Sequence, residues 1–255
     1  MGKRDAAILD ILNTEKKVEV ASLAERLGVS AVTMRKDLDA LAADGVVQRE
    51  HGYALLGNPD DVGGRLARHY EDKLAIAERA AELVSDGDTV IIENGSCCAL
   101  LARAIASARR EVTIVTNSVF IADYVRGFPA ASVVLLGGVY QHNSQVTVGP
   151  MVRANVRDFF VRRMFIGADG WAGGTNFTNA DHLRAEAVRD MAEQADEVVV
   201  LTESEKFARR GVVPLHVEDK IRTVVSDDRI PTDVRRELEG RGVEILPART
   251  IGTLR

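Results

Sequence analysis

The sequence predicts an α/β protein in which an N-terminal winged helix-turn-helix is followed by a doubly wound, mainly parallel α/β domain. Two patterns carry this prediction. In the first 56 residues, three short helical stretches with apolar faces precede a strand, a tight turn and a second strand. From residue 89 onward, short apolar segments alternate with helical stretches, which is the spacing of parallel strands joined by crossover helices.

The first two helical stretches each have one apolar side that predicts a shared core. Their stripes are formed by Ile8, Leu9, Ile11 and Leu12 in the first and by Val20, Leu23, Ala24 and Leu27 in the second. A turn at residues 27–29 then leads to a third stretch, and this helix–turn–helix order is typical of modules that place their second helix in a DNA major groove.

The third stretch begins at Ser30, whose hydroxyl is suited to cap the first turn of a helix. At about 100° per residue, Ser30, Met34, Asp37, Leu38 and Leu41 share the side that faces the core. Asp37 is expected to be structural and to pair with Arg4 or Arg35.

The opposite side of this helix carries the residues that we expect to meet DNA. Val32, Thr33 and Lys36 are placed to approach base edges, and Arg35 is placed to reach a phosphate. The alternative interpretation is an ordinary amphipathic helix with two basic residues on its surface.

Residues 45–56 predict a wing made of a strand, a tight turn at Glu50-His51-Gly52 and a second strand. Arg49 and His51 lie at its tip and could touch the DNA backbone or minor groove. The alternative is that both are solvated turn residues. The residues predicted to contact DNA are Arg4, Ser30, Val32, Thr33, Arg35, Lys36, Arg49 and His51.

The charge balance is unusual for a DNA-binding protein. The net charge is −5, and residues 1–56 carry eight Lys and Arg against nine Asp and Glu. Binding must therefore depend on local clustering of Lys3, Arg4, Arg35, Lys36 and Arg49. A modest electrostatic contribution from each chain favours a homo-oligomer that uses several DNA-binding heads.

Composition indicates a soluble protein with two domains. The chain has 255 residues and 46% hydrophobic residues, and it has no apolar run of about 20 residues that could span a membrane. Its charged N-terminus lacks the apolar segment of a signal peptide, so we expect a cytoplasmic protein. Cys97 and Cys98 are adjacent and the histidines are scattered, which predicts neither a metal site nor a cofactor. A reactive thiol at Cys97 is an alternative to a packing role.

The chain is expected to divide into a DNA-binding domain at 1–56, a turn-rich linker at 57–73 and a second domain at 74–255. Residues 66–85 predict one long helix. Strands are predicted at 89–93, 112–116, 132–136, 164–166, 197–201, 223–226 and 243–245, and helices at 98–107, 181–194 and 233–240.

Ligands of such sheets bind beyond the carboxyl ends of the strands, on the loops that lead into helices. The loop Glu93-Asn94-Gly95-Ser96-Cys97 enters a helix directly and offers free amides to an anion such as phosphate. Four further loops are also rich in small and polar residues. The residues predicted to bind a small effector are Glu93, Asn94, Gly95, Ser96, Cys97, Thr116, Asn117, Ser118, Gly137, Gly138, Asp169, Gly170, Glu203 and Lys206.

The N-terminal residues resemble the DeoR-type bacterial transcription regulators. That family has an Arg followed by aliphatic residues four and eight positions on, matched by Arg4, Ile8 and Leu12. After seventeen further residues it has a small residue, two free positions, Thr, an aliphatic, Arg or His, a variable residue, Asp and an aliphatic. Residues 30–38 match every one of these positions. The wing departs from the family's Gly-Gly-Ala turn, because Tyr53 stands in its middle.

The resemblance continues to about residue 230. It includes Thr-Asn-Ser at 116–118, Gly-Gly at 137–138 and Phe-Ile-Gly-x-Asp-Gly at 165–170, and Lys73 and Glu186 fall on family positions. Residues 93–97 stand for Asp-Ala-Gly-Thr-Thr and residues 203–207 for Asp-Ser-Ser-Lys-Phe, so two family aspartates are glutamates here. The family implies a sensor domain like ribose-5-phosphate isomerases and an effector that is a phosphorylated sugar or sugar acid.

The sequence is therefore interpreted as a homo-oligomeric transcriptional regulator, a repressor of sugar transport or catabolism genes that a phosphorylated sugar releases from double-stranded DNA. One alternative is a sugar-phosphate isomerase with an accessory winged-helix module. Isomerisation needs an acid–base pair, and the aligned segment 166–170 keeps only Asp169 of the isomerase carboxylates. A second alternative is a winged-helix module that binds another protein.

Overall fold

The protein was analysed as a computed structural model that describes residues 3–56 and 61–249. The chain divides into two compact units, Met1–Glu71 and Asp72–Arg255. Each unit has a hydrophobic core of its own, and the two are described separately below.

The first unit is a winged helix-turn-helix, as predicted. Its elements are α1 (Lys3–Glu15), β1 (Lys17–Glu19), α2 (Val20–Arg26), α3 (Ala31–Ala43), β2 (Val47–Glu50), β3 (Tyr53–Leu56) and α4 (Val62–Ala67). The apolar stripes of α1, α2 and α3 meet in one core, in which Ile8, Leu9, Leu12, Leu23, Met34, Leu38 and Leu41 are completely buried. Periodicity alone was sufficient to identify this core because each helix has a single apolar side.

The wing is a two-residue hairpin. Strands β2 and β3 pair antiparallel with Glu50 opposite Tyr53, and the two residues between them, His51 and Gly52, have φ angles of 43° and 91°. Two successive positive φ angles are the mark of the type I′ turn that matches the twist of paired strands. Strand β1, which the sequence analysis did not predict, adds to the free edge of β3.

Residues 61–73 differ from the turn-rich linker that was predicted at 57–73. Residues 57–60 lie outside the described residues, but Asp61 caps the short helix α4 by accepting a hydrogen bond from the amide of Gly64 at 2.6 Å. A Cβ on Gly63 would lie 2.1 Å from the carbonyl oxygen of Gly45. Gly63 therefore allows close packing against the turn that follows α3, and it does not mark an open linker.

The predicted single helix at 66–85 is wrong, because the chain leaves the helical conformation between α4 and the next helix, α5 (Tyr70–Ala81). His69 has a φ of 49°, which an α-helix does not allow. The apolar pattern continues across this break, so periodicity could not reveal it.

The second unit is an α/β domain. After α5 its elements are β4 (Thr89–Ile92), α6 (Ser96–Ala108), β5 (Val112–Thr116), α7 (Val119–Tyr124), β6 (Ala131–Leu135), β7 (Val139–Gln141), β8 (Val146–Val148), α8 (Pro150–Val156), β9 (Val161–Gly167), β10 (Gly170–Trp171), β11 (Phe177–Asn179), α9 (His182–Ala192), β12 (Ala195–Leu201), the 3-10 helix Ser204–Ala208, β13 (Val213–Pro214), β14 (Ile221–Asp227), α10 (Thr232–Glu239) and β15 (Glu244–Ala248).

Within residues 61–249, seven strands form one parallel sheet in the order β15-β14-β12-β9-β4-β5-β6. All seven predicted strands belong to it. Strands β4, β5 and β6 follow one another from the centre of the sheet to one edge. The chain then returns to the centre, and β9, β12, β14 and β15 extend the sheet to the other edge. The strand order therefore reverses between β4 and β9, and such a switch point is where open α/β sheets bind ligands.

Two small antiparallel additions were not predicted. Strands β7 and β8 form a hairpin after β6, and β10, β11 and β13 form a three-stranded sheet. Strands of two or three residues are too short to show an alternating pattern. In the described ranges, no helix has the length and apolar character needed to cross a membrane.

Candidate functional site

The N-terminus of α3 is built as the sequence predicted. The hydroxyl of Ser30 accepts a hydrogen bond from the amide of Thr33 at 3.1 Å, and the two hydroxyls lie 2.9 Å apart. Val32 is 74% exposed, and Arg35 and Lys36 are also exposed. These side chains are available to a partner, and their contact with DNA stays a prediction.

Two ion pairs hold α3 in place. The guanidinium of Arg4 binds Asp37 in a bidentate manner, with Nε 2.5 Å and Nη2 3.1 Å from the two carboxylate oxygens. Arg49 of the wing pairs with Asp39. Of the two partners considered for Asp37, the structure therefore selects Arg4.

These pairs give the predicted DNA-contact residues two different environments. Arg4 and Arg49 are engaged by carboxylates of α3, whereas Arg35 and Lys36 have no ion-pair partner among the described residues. His51 lies exposed at the turn of the wing. Because exposed ion pairs contribute only about 0–1 kcal/mol, Arg4 and Arg49 remain able to exchange their carboxylates for phosphate.

In the second unit, the loops after β4 and β9 meet at the switch point. The carboxylate of Glu93 accepts a hydrogen bond from the amide of Gly167 at 3.1 Å. A Cβ on Gly95 would lie 3.3 Å from Cys98 Sγ and 3.4 Å from Gly167 Cα. Glycine at position 95 therefore allows the two loops to approach closely.

Gly95 is also the N-cap of α6, and it provides no side-chain cap. The first backbone hydrogen bond of this helix runs from Ala99 to Gly95 at 2.8 Å. The amides of Ser96, Cys97 and Cys98 precede this bond, so they have no partner within the helix. Amides in this position, together with the helix dipole, are suited to an anion.

The loops after β4 and β5 are joined by side chains. The hydroxyl of Ser118, the N-cap of α7, donates to Asn94 Oδ1 at 3.0 Å and accepts from the amide of Ile121 in the first turn of that helix. Asn94 Nδ2 in turn donates to the carbonyl of Ser144 at 3.0 Å. The oxygen of the Asn94 amide therefore links two predicted binding loops, and its nitrogen binds the turn between β7 and β8.

Asn117, unlike Asn94, uses only one of the two polar groups of its side-chain amide. Its Nδ2 donates to the carbonyl of Thr147 at 2.9 Å, but its Oδ1 is buried without a hydrogen-bond partner in the described part of the chain. Thr116 is fully buried and accepts a hydrogen bond from the amide of Ser118 at 3.1 Å. An unsatisfied buried acceptor is unusual, so Asn117 is better suited to meet a ligand hydroxyl than Thr116.

The glycines at 137, 138 and 170 serve close backbone packing. The amide of Gly137 donates to Asn155 Oδ1 at 2.9 Å, and a Cβ on Gly138 would lie 2.7 Å from the carbonyl oxygen of Val148. A Cβ on Gly170 would lie 2.6 Å from the carbonyl oxygen of Arg209. The structure thus explains these glycines without a ligand, and direct contact with an effector stays a prediction.

A buried ion pair lies at the loop after β12. Lys73 Nζ is 3.2 Å from Glu203 Oε1, and the two side chains are only 4% and 8% exposed. Burial tends to raise the pKa of Glu203, but the charges of Lys73 and Lys206 outweigh it, so this pKa is lowered. The charge of Lys206 also acts on the thiol of Cys97, in the first turn of α6.

Cys97 packs against this pair, with Sγ 3.8 Å from Glu203 Oε2. Burial, reinforced by the negative charge of Glu203, raises the pKa of the thiol well above its usual value. Because the thiolate is the reactive form, this environment favours the packing role of Cys97 over a reactive one.

A third cluster surrounds the predicted residue Asp169 and includes Arg184, which the sequence analysis did not predict. Asp169 Oδ2 accepts a hydrogen bond from the amide of Ala180 at 2.9 Å and lies 3.9 Å from Nη2 of Arg184. Arg184 is in the first turn of α9, which Asp181 caps. A basic residue three positions after a capping aspartate was the available signal. Within the described residues, no group of His, Cys, Asp and Glu could hold a metal ion.

Comparison with known proteins gives matches over both units. The family model described as "DeoR-like helix-turn-helix domain" matches residues 4–59, and the one described as "DeoR C terminal sensor domain" matches residues 68–228. The chain is 26% identical over 247 residues to the HTH-type transcriptional regulator GolR of Listeria innocua, covering 95% of this chain and 97% of that protein.

Two further relatives match over similar lengths. The putative aga operon transcriptional repressor of Escherichia coli O157:H7 is 27% identical over 252 residues, covering 96% of this chain and 93% of that protein. The L-fucose operon activator of Haemophilus influenzae is 26% identical over 243 residues, covering 94% of this chain and 97% of that protein. Both relatives are named as regulators of transcription, and both matches cover nearly the whole length of the two proteins compared.

Proposed function

The chain belongs to the DeoR family of transcriptional regulators, and from that premise we propose that a phosphorylated sugar bound at the switch point releases it from operator DNA. Matches over nearly the whole chain are to regulators, so the protein acts on transcription and is not an isomerase. The identity of the effector, the oligomeric state and the direction of regulation are our proposals.

The observation that carries the effector proposal is the convergence of loops at the switch point. The open N-terminus of α6 and the ammonium of Lys206, whose charge acts on Cys97 in the first turn of that helix, offer positive charge to a phosphate. Asn117 Oδ1 and Asp169 offer acceptors to hydroxyl groups. A phosphorylated sugar has both kinds of group, and the relative named for the L-fucose operon supports a sugar-derived effector.

The DNA contacts are proposed from the exposed side of α3. Val32, Thr33 and Lys36 would approach base edges in the major groove, and Arg35 would bind a phosphate. The wing would add Arg49 and His51 at the adjacent backbone. Because the local charge is modest, we propose that the protein binds as a homo-oligomer that places two heads on two half-sites. As a regulator of transcription, it would act in the cytoplasm.

The proposed mechanism is linkage between two binding equilibria. The effector binds better to the arrangement that fits the operator poorly, and DNA affinity then falls by the ratio of the two effector affinities. We propose that the protein is a repressor and that the effector releases it from DNA. The relatives include a repressor and an activator, so a transcription assay with the effector decides this sign.

The test is an anisotropy titration of the full-length protein on fluorescent DNA from its own upstream region. Ribose 5-phosphate, fructose 1-phosphate, fructose 6-phosphate, glucose 6-phosphate, galactose 6-phosphate and 6-phosphogluconate are added in turn, with the unphosphorylated sugars as controls. Release by a phosphate and not by its parent sugar supports the proposal. DNA binding that no sugar phosphate alters would contradict the effector assignment, and no binding at low salt would contradict the DNA assignment.

A further inference from the structure

The guanidinium of Arg184 is buried but incompletely satisfied. Its side chain is 11% exposed, and Nε has no hydrogen-bond partner in residues 61–249. The nearest carboxylate oxygens are Asp181 Oδ1, 3.9 Å from Nε, and Asp169 Oδ2, 3.9 Å from Nη2. Hydrogen bonds between guanidinium and carboxylate groups measure about 2.7–2.9 Å, so neither aspartate satisfies this arginine.

The two aspartates are held at this distance by other bonds. Asp181 accepts hydrogen bonds from the amide of Arg184 at 2.9 Å and from Gln141 Nε2 at 3.3 Å. Asp169 Oδ2 accepts from the amide of Ala180 at 2.9 Å. Moving either carboxylate onto the guanidinium would sacrifice these bonds. The unfilled donor is therefore maintained by its surroundings.

Arg184 is connected to the switch point by a closed circuit of contacts. Glu93 binds the amide of Gly167, which precedes Asp169 by two residues, and Asp169 faces Arg184. On the other side, Arg184 faces Asp181, which binds Gln141 of the β7–β8 hairpin. The turn of this hairpin closes the circuit, because the carbonyl of Ser144 accepts a hydrogen bond from Asn94, the neighbour of Glu93. Arg184 thus belongs to the same edge of the sheet as the predicted effector loops.

The charges around Arg184 decide what it can bind. One guanidinium faces two carboxylates, so a ligand anion placed between them would be attracted by one charge and repelled by two. A hydroxyl group can accept a hydrogen bond from the guanidinium and donate one to a carboxylate at the same time. The arrangement therefore favours a neutral hydroxyl over a second acidic group.

We propose that Arg184 and Asp169 bind a hydroxyl group of the effector and so determine which sugar the site accepts; this rests on the sugar-phosphate effector proposed above. Recognition of the sugar is then separate from recognition of the phosphate, for which α6 and Lys206 are proposed. A site built to hydrogen-bond a hydroxyl discriminates against ligands that lack it, because the buried Nε of Arg184 would stay unpaired.

The test compares Arg184→Met with Arg189→Met in the full-length protein. Arg189 lies on the same helix and donates to the carbonyl of Pro214 at 3.1 Å, outside the circuit. Binding of glucose 6-phosphate, ribose 5-phosphate, 6-phosphogluconate and inorganic phosphate is measured by calorimetry without DNA. Operator binding of each variant is measured separately and is expected to equal that of the natural protein, and thermal unfolding followed by circular dichroism shows whether the second unit is folded.

The expected result is that Arg184→Met weakens a sugar phosphate at least about tenfold, since the bond lost is to a charged group. Inorganic phosphate should bind unchanged, 6-phosphogluconate should lose no more than glucose 6-phosphate, and Arg189→Met should have no effect. A loss confined to 6-phosphogluconate, a loss that includes inorganic phosphate, or no loss overturns the proposal. If no sugar phosphate binds the natural protein, the proposed function fails as well.

Discussion

Lys73 Nζ lies 3.2 Å from the carboxylate of Glu203, and this ion pair joins the first turn of α5 to the loop after β12. The neighbouring Asp72 makes a parallel connection, because it binds Arg229 at 2.5 Å, and Arg229 also binds Asp227 at the end of β14. Asp227 accepts in turn from the amide of Ser204 at 2.7 Å. The beginning of α5 is therefore fixed to the loops where the effector is proposed to bind.

Removing one member of the buried pair should be costly. Lys73→Met leaves Glu203 buried without its main counter-charge, and we expect a loss of about 3–5 kcal/mol in the free energy of unfolding. The measurement is urea denaturation followed by circular dichroism. The control is Lys73→Met combined with Glu203→Gln, which removes both charges and should recover a large part of the loss. Equal destabilisation in the single and double variants would argue against a charge-based role.

The same pair predicts a dependence of stability on pH. Because the pKa of Glu203 is lowered in the folded protein, its contribution is fully present above the unfolded pKa of about 4.3 and is lost as pH falls through the lower folded value. The free energy of unfolding of the natural protein minus that of Glu203→Gln should therefore be constant from pH 7 to 5 and shrink below about pH 4. A difference that is the same at pH 3.5 and pH 7 would contradict the lowered pKa.

Arg35 and Lys36 should carry most of the DNA affinity of α3. Replacing either by Ala is expected to weaken operator binding by about 1–3 kcal/mol for each head. If Arg35 binds a phosphate and Lys36 a base edge, Arg35→Ala should weaken all DNA sequences alike, whereas Lys36→Ala should also relax specificity. The measurement is anisotropy on operator and scrambled DNA at several salt concentrations.

The control for this prediction is Arg126→Ala, which removes an exposed arginine of the second unit that pairs with Asp123. It should leave operator binding unchanged, and effector binding should be unchanged in all three variants. Normal operator affinity in both Arg35→Ala and Lys36→Ala would mean that α3 does not enter the groove.

The sequence predicted the parts of the fold whose residues repeat a pattern. All seven strands of the parallel sheet were identified because each contains a short run of consecutive apolar residues, although those of the edge strand β6 are not fully buried. The hairpin β7–β8 was missed because strands of three residues repeat no pattern. The break at His69 was missed for another reason, since a positive φ in a residue other than glycine depends on its surroundings and not on its own preference.

The candidate site was predicted at the level of loops and not at the level of contacts. Glu93, Gly95 and Lys206 follow the carboxyl ends of β4 and β12, and parallel strands bring these ends to one edge of the sheet. Their contact with an effector stays a prediction. The partner of Asp37 stayed open between Arg4 and Arg35, and only the packing of α1 on α3 decided it. Arg184 was missed because it faces Asp169, which is fifteen residues away in the sequence, and only the folded chain brings the two together.

Changes at Gly95 and Lys206 should separate effector binding from DNA binding. Lys206→Ala removes an ammonium whose charge acts on Cys97 in the first turn of α6, and we expect it to abolish release from the operator by any sugar phosphate that acts on the natural protein. Gly95→Ala places a Cβ 3.3 Å from Cys98 Sγ and 3.4 Å from Gly167 Cα. Both contacts are tight, so the loop should shift and the effector response should be lost as well.

Gly127→Ala is the matched control for the glycine change, because a Cβ at that position would meet no atom within 4 Å. It should leave both DNA binding and release unchanged, while all three variants should retain normal operator affinity. Anisotropy with and without the sugar phosphate measures both properties on one sample. A normal response in both Lys206→Ala and Gly95→Ala would move the phosphate site away from α6, whereas loss of operator binding in either would mean that these residues also maintain the DNA-binding state.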